Sequence, residues 1–378
     1  MCRPAATSLY SDVIGLADIR KLPSAVVHVI DNLDAGGAQA LVFELATRIP
    51  GSCVLSLRGT PRNSPFVWER VYCPEAGRSR RQSIVQGIGK LLALCLRERR
   101  SALFVAHLNA STLALCLLRP LLRFRLFVMV HASPRQWPAW YRALFRLVVH
   151  FADLVIGGGE HHRRLLVNEG IDPNKIALVG VGSALIDRDP RVSDLDIRAE
   201  LDIAADDAIL LNVARMVKGK GQVEIVRAMA KLEGRKVTAV IVGDGPEEGR
   251  LKQLTAELGV ADRVRFPGPR TDLHNFYHAA SIFLMPCLDE SMGIVILEAL
   301  AYRLPIVAYD SGCISEFIHN GENGLLVPRD VKALVGAIER VLDERPTLQF
   351  DARRIFSMEA MVERFRRIVV LGEGTQQE

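Results

Sequence analysis

Two glutamates eight residues apart are the most chemically informative feature of the sequence. Glu290 and Glu298 flank Gly293, and an apolar run that predicts a helix follows this glycine directly. The first N–H groups of a helix have no partner within it and attract phosphate oxygens, and glycine lets a ligand approach closely. We therefore predict that the N–H groups of Gly293 and Ile294 bind phosphate. Glu298, about 7.5 Å beyond Gly293 along the axis, is suited to a diol such as ribose.

A basic loop in the same half of the chain could complete such a site. Arg215 and Lys220 lie five residues apart, after an apolar run over 208–213 and before an amphipathic stretch. Cations between a strand and a helix start can neutralise a diphosphate. The same segment also fits a solvated basic turn, and its own residues leave both interpretations open. Residues 242–246, Val-Gly-Asp-Gly-Pro, are interpreted as a tight turn.

The elements that must position these residues form an α/β pattern. Short β-branched runs alternate with amphipathic stretches over most of the 378 residues, which predicts parallel sheets covered by helices on both faces. A polar stretch, 182–201, divides the pattern into two halves. Ligands of such sheets bind at the carboxyl ends of the strands, so a crevice between the halves is expected to hold the ligand. The predicted segments are an N-terminal extension 1–24, a first domain 25–190, a second domain 191–355 and a C-terminal helix 356–378.

The paired glutamates, together with the motifs around them, resemble those of glycosyltransferase family 4. Arg215 and Lys220 are similar to the diphosphate-binding pair of that family, residues 305–327 continue its pattern, and residues 34–39 resemble its N-terminal glycine-rich loop. The resemblance covers about residues 25–370. It implies the GT-B fold, with two Rossmann-like doubly wound parallel-sheet domains facing a central cleft and a final helix that crosses back to the first domain.

Residue roles follow from this resemblance position by position. It implies that Arg215 and Lys220 bind the donor diphosphate, that Glu298 holds the ribose, and that Glu290 contacts the transferred sugar. Further donor contacts implied by the family motifs are those of Gly37, Gly293 and Ile294. His131, after the predicted strand 126–130, is similar to the sugar-contacting catalytic histidine of the family, and His107 is the competing choice. The usual Glu-Gly-Phe-Gly is here Glu-Ser-Met-Gly, so the preferred sugar is harder to predict.

The resemblance also implies a reaction. A hexose would move from a UDP- or GDP-sugar to a saccharide acceptor, lipid-linked in our interpretation, with retention at the anomeric carbon and without metal or other cofactor. The implied setting is the synthesis of cell-surface polysaccharide or lipopolysaccharide. Two alternatives share the fold: a sugar-nucleotide epimerase or phosphorylase, and a catalytically silent subunit that binds a membrane or a partner. Release of free epimerised sugar, or the absence of donor hydrolysis, would distinguish them.

Charge is unevenly distributed along the chain. Residues 1–190 contain 24 Lys and Arg against 14 Asp and Glu, whereas residues 191–378 contain 24 against 29. No acidic residue lies between Arg99 and Asp153. Leucines alternate with arginines in residues 117–126, which suggests peripheral attachment of the first domain to an anionic membrane. Nucleic acid is not expected, because the basic residues are not interleaved with aromatic ones. Seven scattered cysteines and no apparent signal peptide predict a cytoplasmic protein with buried thiols.

Overall fold

A computed structural model describes most of the chain. The described residues are 25–34, 37–58, 70–74, 80–183, 185–187, 189, 193–290, 292–344 and 356–371. The predicted extension 1–24 lies outside these ranges, as do Ala35 and Gly36 of the predicted glycine-rich loop.

The described residues form two compact units. Unit 1 contains the residues up to Gly158, the segment Arg163–Gly180 and the residues from Met361 onward. Unit 2 contains Gly159–His162 and Val181–Ala360. The change of unit after Gly180 lies ten residues before the predicted boundary at 190, and the short return of the chain at Gly159–His162 was not anticipated.

Unit 1 is built on a parallel sheet of seven strands in the order β3-β2-β1-β4-β5-β6-β7. Its strands are β1 Ala25–Ile30, β2 Ser52–Ser56, β3 Val71–Tyr72, β4 Ala102–His107, β5 Arg125–Met129, β6 Leu154–Gly157 and β7 Ile176–Leu178. The helices between them are α1 Gly37–Arg48, α2 Arg80–Glu98, α3 Asn109–Leu122, α4 Ala139–Val148 and α5 Glu160–Asn168, the last of which begins in unit 2. Because β1 lies between β2 and β4, the strand order reverses there, as in doubly wound folds.

Both faces of the first sheet are buried. On one face, Val27, Phe104 and Leu126 pack in a single core with Leu91 of α2 and Phe145 of α4. On the other face, α1 covers the sheet in a smaller cluster that includes Ile30, Val42, Ala46 and Val54. Strands buried on both sides are apolar throughout, which is why their sequences read as continuous β-branched runs.

Unit 2 repeats the architecture with six parallel strands in the order β10-β9-β8-β11-β12-β13. Its strands are β8 Ala208–Val213, β9 Val237–Val242, β10 Val264–Gly268, β11 Ile282–Met285, β12 Ile306–Tyr309 and β13 Gly324–Val327. Its helices are α6 Ile197–Glu200, α7 Gln222–Lys231, α8 Glu248–Glu257, α9 Leu273–Ala279, α10 Ile294–Ala301 and α11 Val331–Glu344. A core on one face joins the sheet to α7, α8 and α11. The two predicted doubly wound parallel sheets are therefore confirmed.

The last helix, α12 (Met358–Leu371), belongs to unit 1 from Met361 onward. Its arginines bind backbone carbonyls of that unit: Arg364 Nε donates to Val179 O at 2.8 Å, and Arg366 donates to Arg48 O at 2.7 Å. Phe365 is fully buried. These contacts fix α12 along much of its length.

Two further predictions concern the whole chain. Cys95, Cys116, Cys287 and Cys313 are buried free thiols, as the sequence predicted for several of its cysteines. None of the described helices is long and apolar enough to cross a membrane.

Candidate functional site

The predicted anion-binding residues of unit 2 lie at the carboxyl ends of two neighbouring strands. Arg215 and Lys220 follow β8, and Glu290 and Gly293 follow β11, which is hydrogen-bonded to β8 in the sheet. The strand order reverses at this point, since β8 continues to β9 on one side and to β11 on the other. Ligands of open α/β sheets bind at such a reversal.

The loop after β8 is held by the turn at residues 242–246. Met216 N donates to Asp244 O at 2.6 Å. A Cβ at Gly243 would lie 2.2 Å from Ala214 O, and one at Gly245 would lie 2.3 Å from Met216 O. The interpretation of this segment as a tight turn missed its second role, which is to support the backbone on both sides of Arg215.

The loops after β8 and β11 are packed directly against each other. Gly221 has a positive φ of 83°, and a Cβ there would lie 2.0 Å from Pro286 O. Leu288 N donates to Gly219 O at 2.8 Å. A side chain at position 221 would separate the two loops, so this glycine is required for the basic residues and Glu290 to lie together.

Lys220 and Glu290 form an ion pair. Lys220 Nζ donates to Glu290 Oε2 at 2.9 Å, and both side chains are largely shielded from solvent. Burial, the largest single influence, lowers the pKa of Lys220, but the charge of Glu290, its hydrogen bond and the neighbouring Cys287 and Cys313 together outweigh burial, and the pKa of Lys220 is raised. Arg215 is exposed, and its guanidinium has no acidic partner in the described part of the chain. Of the two predicted diphosphate-binding cations, Lys220 is thus neutralised by Glu290, whereas Arg215 is exposed and can interact with a ligand.

The start of α10 has the geometry expected of a phosphate-binding helix. Gly293 is its N-cap and adopts φ 65°, and the helix proper begins at Ile294. The first N–H groups of α10 have no acceptor within the helix. Glu290 Oε1 lies 3.4 Å from the backbone nitrogens of Met292 and Gly293, so a carboxylate of the protein already faces this helix start.

The position of Glu290 depends on the loop after β12. Cys313 N donates to Glu290 O at 3.0 Å. Gly312 has a φ of 59°, and a Cβ there would lie 2.2 Å from the same oxygen. The family pattern included Gly312, but its contact with the backbone of Glu290 could not be read from the sequence.

Glu298 is buried inside α10 with two hydroxyl partners. Its side chain accepts a hydrogen bond from Ser183 Oγ at 2.6 Å and another from the Tyr277 hydroxyl at 2.8 Å. The residue is 7% exposed, and burial raises the pKa of its carboxyl. A carboxylate buried in an otherwise apolar helix is costly unless it has such partners. Neither Ser183 nor Tyr277 was identified beforehand, because both are distant in the chain.

A pair of histidines also reaches the surroundings of Glu290. His161 and His162 open α5 in the short segment that belongs to unit 2. Burial, followed by the charge of His161, lowers the pKa of His162 to about 4, while Glu290 acts in the opposite direction. Two adjacent histidines after a strand were a visible signal that the sequence interpretation did not use.

The predicted residues of unit 1 lie at the carboxyl ends of its central strands. His131 follows β5 and is half-buried, whereas His107 ends β4 and is fully buried. The two competing candidates are hydrogen-bonded, with His107 Nδ1 2.8 Å from His131 Nε2. Gly37 is exposed and begins α1. The greater exposure of His131 favours it over His107 as the residue that can contact a ligand.

The arginines of the acid-free stretch are only partly available. Arg119 forms an ion pair with Asp153, and Arg142 and Arg146 both bind Glu169 at 2.8 Å. The acidic partners come from outside the stretch, so the excess of positive charge is smaller in the folded unit than the sequence suggested. Among the described residues, the arginines of the stretch that have no acidic partner are Arg99, Arg100, Arg123, Arg125 and Arg135, and Arg125 donates instead to the backbone carbonyl of Val369.

Exposed apolar side chains lie near these arginines. The neighbouring helices α3 and α4 carry Leu121, Trp140 and Leu147, which are 78%, 66% and 71% exposed. Within residues 117–126, however, Phe124 and Leu126 are buried in the core. Only part of the stretch 117–126 is therefore exposed, and α4 adds further exposed apolar side chains beside it.

Solved structures share the fold of this chain. HepE of Anabaena, solved with UDP, superposes with a TM-score of 0.76 at 20% identity, over 90% of this chain and 98% of that one. Sucrose-phosphate synthase of Thermosynechococcus elongatus superposes with a TM-score of 0.75 at 24% identity, over 91% and 98%. The architecture is that of the GT-B glycosyltransferases, as predicted.

The sequence then defines the family. Residues 193–358 match the family of glycosyl transferases group 1. The lipopolysaccharide core biosynthesis mannosyltransferase LpsB of Rhizobium meliloti is 32% identical over 255 residues, which are 64% of this chain and 70% of LpsB. The chain therefore belongs to this glycosyltransferase family.

Other curated relatives match over shorter segments. The lipopolysaccharide core biosynthesis glycosyltransferase LpsE of Rhizobium meliloti is 38% identical over 146 residues, 38% of this chain and 42% of LpsE. A D-inositol 3-phosphate glycosyltransferase of Acidothermus cellulolyticus is 38% identical over 215 residues, which are 52% of this chain and 47% of that protein. The chain thus spans less than half the length of several of the relatives it matches.

Proposed function

We propose that this protein transfers a hexose from a nucleoside diphosphate sugar to a saccharide acceptor, with retention at the anomeric carbon, as in glycosyltransferase family 4. The observation that carries the proposal is the group of Arg215, Lys220 and the start of α10 at the strand-order reversal of unit 2, with Glu290 and Glu298 beside them. Cations and a free helix start favour a diphosphate, and a carboxylate on either side favours a ligand rich in hydroxyl groups.

The charged residues would act on the leaving group. As the bond between the sugar and the diphosphate breaks, negative charge develops on phosphate oxygens. Arg215, Lys220 and the N–H groups of Gly293 and Ile294 would stabilise this charge where it forms. In the same proposal the leaving diphosphate oxygen takes the proton of the acceptor hydroxyl as the new glycosidic bond forms. This arrangement supplies charge neutralisation without a metal ion, so we propose that the reaction needs neither metal nor cofactor.

The remaining predicted residues would position the donor. Glu298, held by Ser183 and Tyr277, is proposed to accept hydrogen bonds from the ribose hydroxyls. Glu290 and His131 are proposed to contact the transferred sugar, and Gly37 to leave room for the donor phosphates at the start of α1. The ion pair of Lys220 with Glu290 supports the assignment, since it brings the diphosphate-binding and sugar-binding residues within 2.9 Å of each other.

The names of the relatives supply the substrate classes. HepE was solved with UDP, and LpsB is named a mannosyltransferase of lipopolysaccharide core synthesis. We propose a UDP- or GDP-sugar as donor and a saccharide acceptor of the lipopolysaccharide type, attached to lipid. We also propose that unit 1 contacts an anionic membrane surface on the cytoplasmic side. The exposed leucines and tryptophan of α3 and α4 and the unpaired arginines near them support this contact.

A thermal-shift screen of nucleotide sugars, followed by product analysis, tests the reaction. A donor present at about 100 times its Kd should add about 2.7 kcal/mol to the free energy of unfolding. With that donor and an acceptor, a new glycoside should form, whereas free epimerised sugar would contradict the proposal. Glu290→Ala should abolish transfer and donor hydrolysis while nucleotide binding persists. Glu257→Ala, on the exposed surface of α8, should leave both unchanged and serves as the control.

Co-sedimentation with vesicles tests the membrane contact. Vesicles rich in phosphatidylglycerol should bind the wild-type protein at low salt, and Leu121→Ser combined with Leu147→Ser should reduce binding several-fold. Leu258→Ser, at an exposed leucine of unit 2, is the matched control and should bind like wild type. Equal binding to neutral vesicles, or no binding at all, would contradict the membrane contact without affecting the proposed reaction.

A further inference from the structure

The outer side of helix α2 carries an apolar stripe, formed by the exposed side chains of four large residues. Val85, Ile88, Leu92 and Leu96 are 71%, 46%, 39% and 51% exposed. Residues spaced by three and four positions lie along one side of a helix. The apolar stripe therefore runs along about three turns of α2. Exposed apolar residues scattered singly are ordinary on a protein surface, but four that are aligned on one helix require an explanation.

The inner side of α2 consists mostly of small residues. Ser83, Gly87, Leu91 and Cys95 are buried at intervals of four positions. A Cβ at Gly87 would lie 2.2 Å from Leu57 O, so the helix lies directly on the backbone that follows β2. A surface helix normally buries its large apolar side chains and exposes polar ones. Because α2 buries three small residues and exposes four large apolar ones, its sequence is suited to contacts on both sides.

The apolar stripe lies next to the exposed apolar side chains of α3 and α4. All three helices pack in the same core on one face of the first sheet, and α3 contacts both α2 and α4. Leu117 and Leu121 of α3 and Trp140 and Leu147 of α4 are exposed as well. The helices thus form one layer, and each of them directs large apolar side chains away from the sheet. Such a recurrence on neighbouring helices indicates an interaction surface.

The charges around the apolar stripe indicate what binds to it. Residues 80–100 contain six Lys and Arg against a single acidic residue, Glu98, which is paired with Arg97. Arg81 and Lys90 are exposed. A second copy of the chain, docked through the same face, would bring these positive charges together. Residues 1–24, with three basic and two acidic side chains, offer no opposite charge either. An anionic lipid surface attracts the basic residues and also accepts apolar side chains among its acyl chains.

We propose that α2 is the membrane-inserting element of unit 1, and that it places its apolar stripe among the acyl chains of an anionic membrane. The inference rests on the proposed membrane contact of unit 1, to which it adds the helix that inserts. Because the apolar stripe runs along the helix, all four side chains enter the bilayer together only if the axis of α2 lies parallel to the membrane surface. Lys90 and Arg97 then remain at the level of the lipid headgroups.

Co-sedimentation of two charge variants with vesicles rich in phosphatidylglycerol tests insertion. Leu92→Glu and Ala93→Glu add the same charge at adjacent exposed positions of α2, but only Leu92 belongs to the apolar stripe. The added charge alone should weaken binding about fivefold, which is the result expected for Ala93→Glu. Leu92→Glu also removes an inserted side chain and should weaken binding at least about fiftyfold. Equal losses in the two variants, or no binding by the wild-type protein, would overturn the proposal.

Fluorescence of Leu92→Trp and Ala93→Trp measures the depth of α2 in the same vesicles. The emission added by Leu92→Trp should shift to shorter wavelength and be quenched by lipids brominated in their acyl chains, and that added by Ala93→Trp should change less. Equal quenching of the two would contradict insertion along the apolar stripe.

Two further measurements separate this proposal from others. If analytical ultracentrifugation without lipid shows a wild-type dimer that Leu92→Glu dissociates, the apolar stripe binds a second copy and the proposal is overturned. If insertion is observed but the protein binds no nucleotide sugar, the role of α2 is supported and the proposed reaction is wrong. If sugar is transferred but Leu92→Glu binds vesicles like wild type, the reaction stands and the insertion of α2 is wrong.

Discussion

The two units have similar folds, but their candidate sites differ in charge. Charged side chains form the site of unit 2, and histidine rings form that of unit 1. In unit 2 the candidate site consists of charged side chains on loops, with Lys220 and Glu290 paired at 2.9 Å. In unit 1 it consists of three hydrogen-bonded histidine rings that end in His131, and burial lowers the pKa of His28 and His107. The comparison shows that a charged site can be assembled from two short motifs, whereas a chain of neutral groups depends on the register of three strands.

The largest expected effect tests the charged half of this comparison. Replacing both Arg215 and Lys220 by Met should weaken binding of the donor nucleotide by about 3–6 kcal/mol, because hydrogen bonds to charged groups contribute about 1.5–3 kcal/mol each. Isothermal titration calorimetry with UDP and GDP measures the change. The double variant Arg250→Met and Lys252→Met removes two exposed cations of α8 and should bind normally. Normal binding by the first variant would place the diphosphate elsewhere.

Glu298→Ala should have the next largest effect, on stability as well as binding. The substitution leaves the hydroxyls of Ser183 and Tyr277 without their acceptor in a buried position, which should cost about 1–3 kcal/mol. Urea unfolding followed by fluorescence gives the change, and Glu298→Gln should lose less, since an amide oxygen still accepts. An unchanged unfolding midpoint in Glu298→Ala would show that the carboxylate is not held by these hydroxyls in solution.

The neutral half of the comparison predicts a dependence of stability on pH. The folded pKa of His28 is about 3, below the ordinary 6.5, so the unfolded chain binds the proton more readily. The contribution of the neutral His28 to the free energy of unfolding is fully present above pH 6.5. It is lost as the pH falls towards 3, by about 1.4 kcal/mol for each pH unit. Between pH 7.5 and pH 5.5, the free energy of unfolding of the wild-type protein should therefore fall by about 1 kcal/mol more than that of His28→Phe. Parallel stability curves from urea titrations at the two pH values would contradict a neutral His28.

The smallest effect concerns the arginines of unit 1. Arg142→Gln should lower the free energy of unfolding by less than about 1 kcal/mol, because Arg146 still pairs with Glu169 and exposed ion pairs contribute little. Replacing both arginines should cost more than twice as much, since the carboxylate of Glu169 is then buried without a partner. Additive losses in a double-mutant cycle would show that the two arginines are not coupled through Glu169 and would contradict this prediction.

The fold and the charged residues were largely predictable from the sequence. Strand β8 coincides with the apolar run identified over 208–213, because strands buried on both faces give uninterrupted apolar runs. Glu290 and Gly293 lie in one short segment, so their spacing along a helix start could be interpreted directly. Short motifs of this kind are local, and the sequence shows them well.

Contacts between distant segments were not predictable in the same way. Tyr277 is an ordinary aromatic residue of an amphipathic helix until the structure places its hydroxyl on Glu298. The contact between His28 and His107 depends on the register of their strands, and one residue of slip would point His28 to the opposite face. The acid-free arginine stretch misled for the same reason, since Asp153 and Glu169 supply its charges from outside.

The ion pair between Lys220 and Glu290 has a consequence for how a charged ligand arrives. A lysine already matched by a carboxylate contributes little to the field that reaches into solvent, so the exposed Arg215 dominates the attraction at a distance. Added salt should then slow the association of a nucleotide sugar less than it would if both Arg215 and Lys220 were without an acidic partner. In the proposed function, a diphosphate that binds Lys220 would therefore meet a lysine whose charge is already balanced by Glu290.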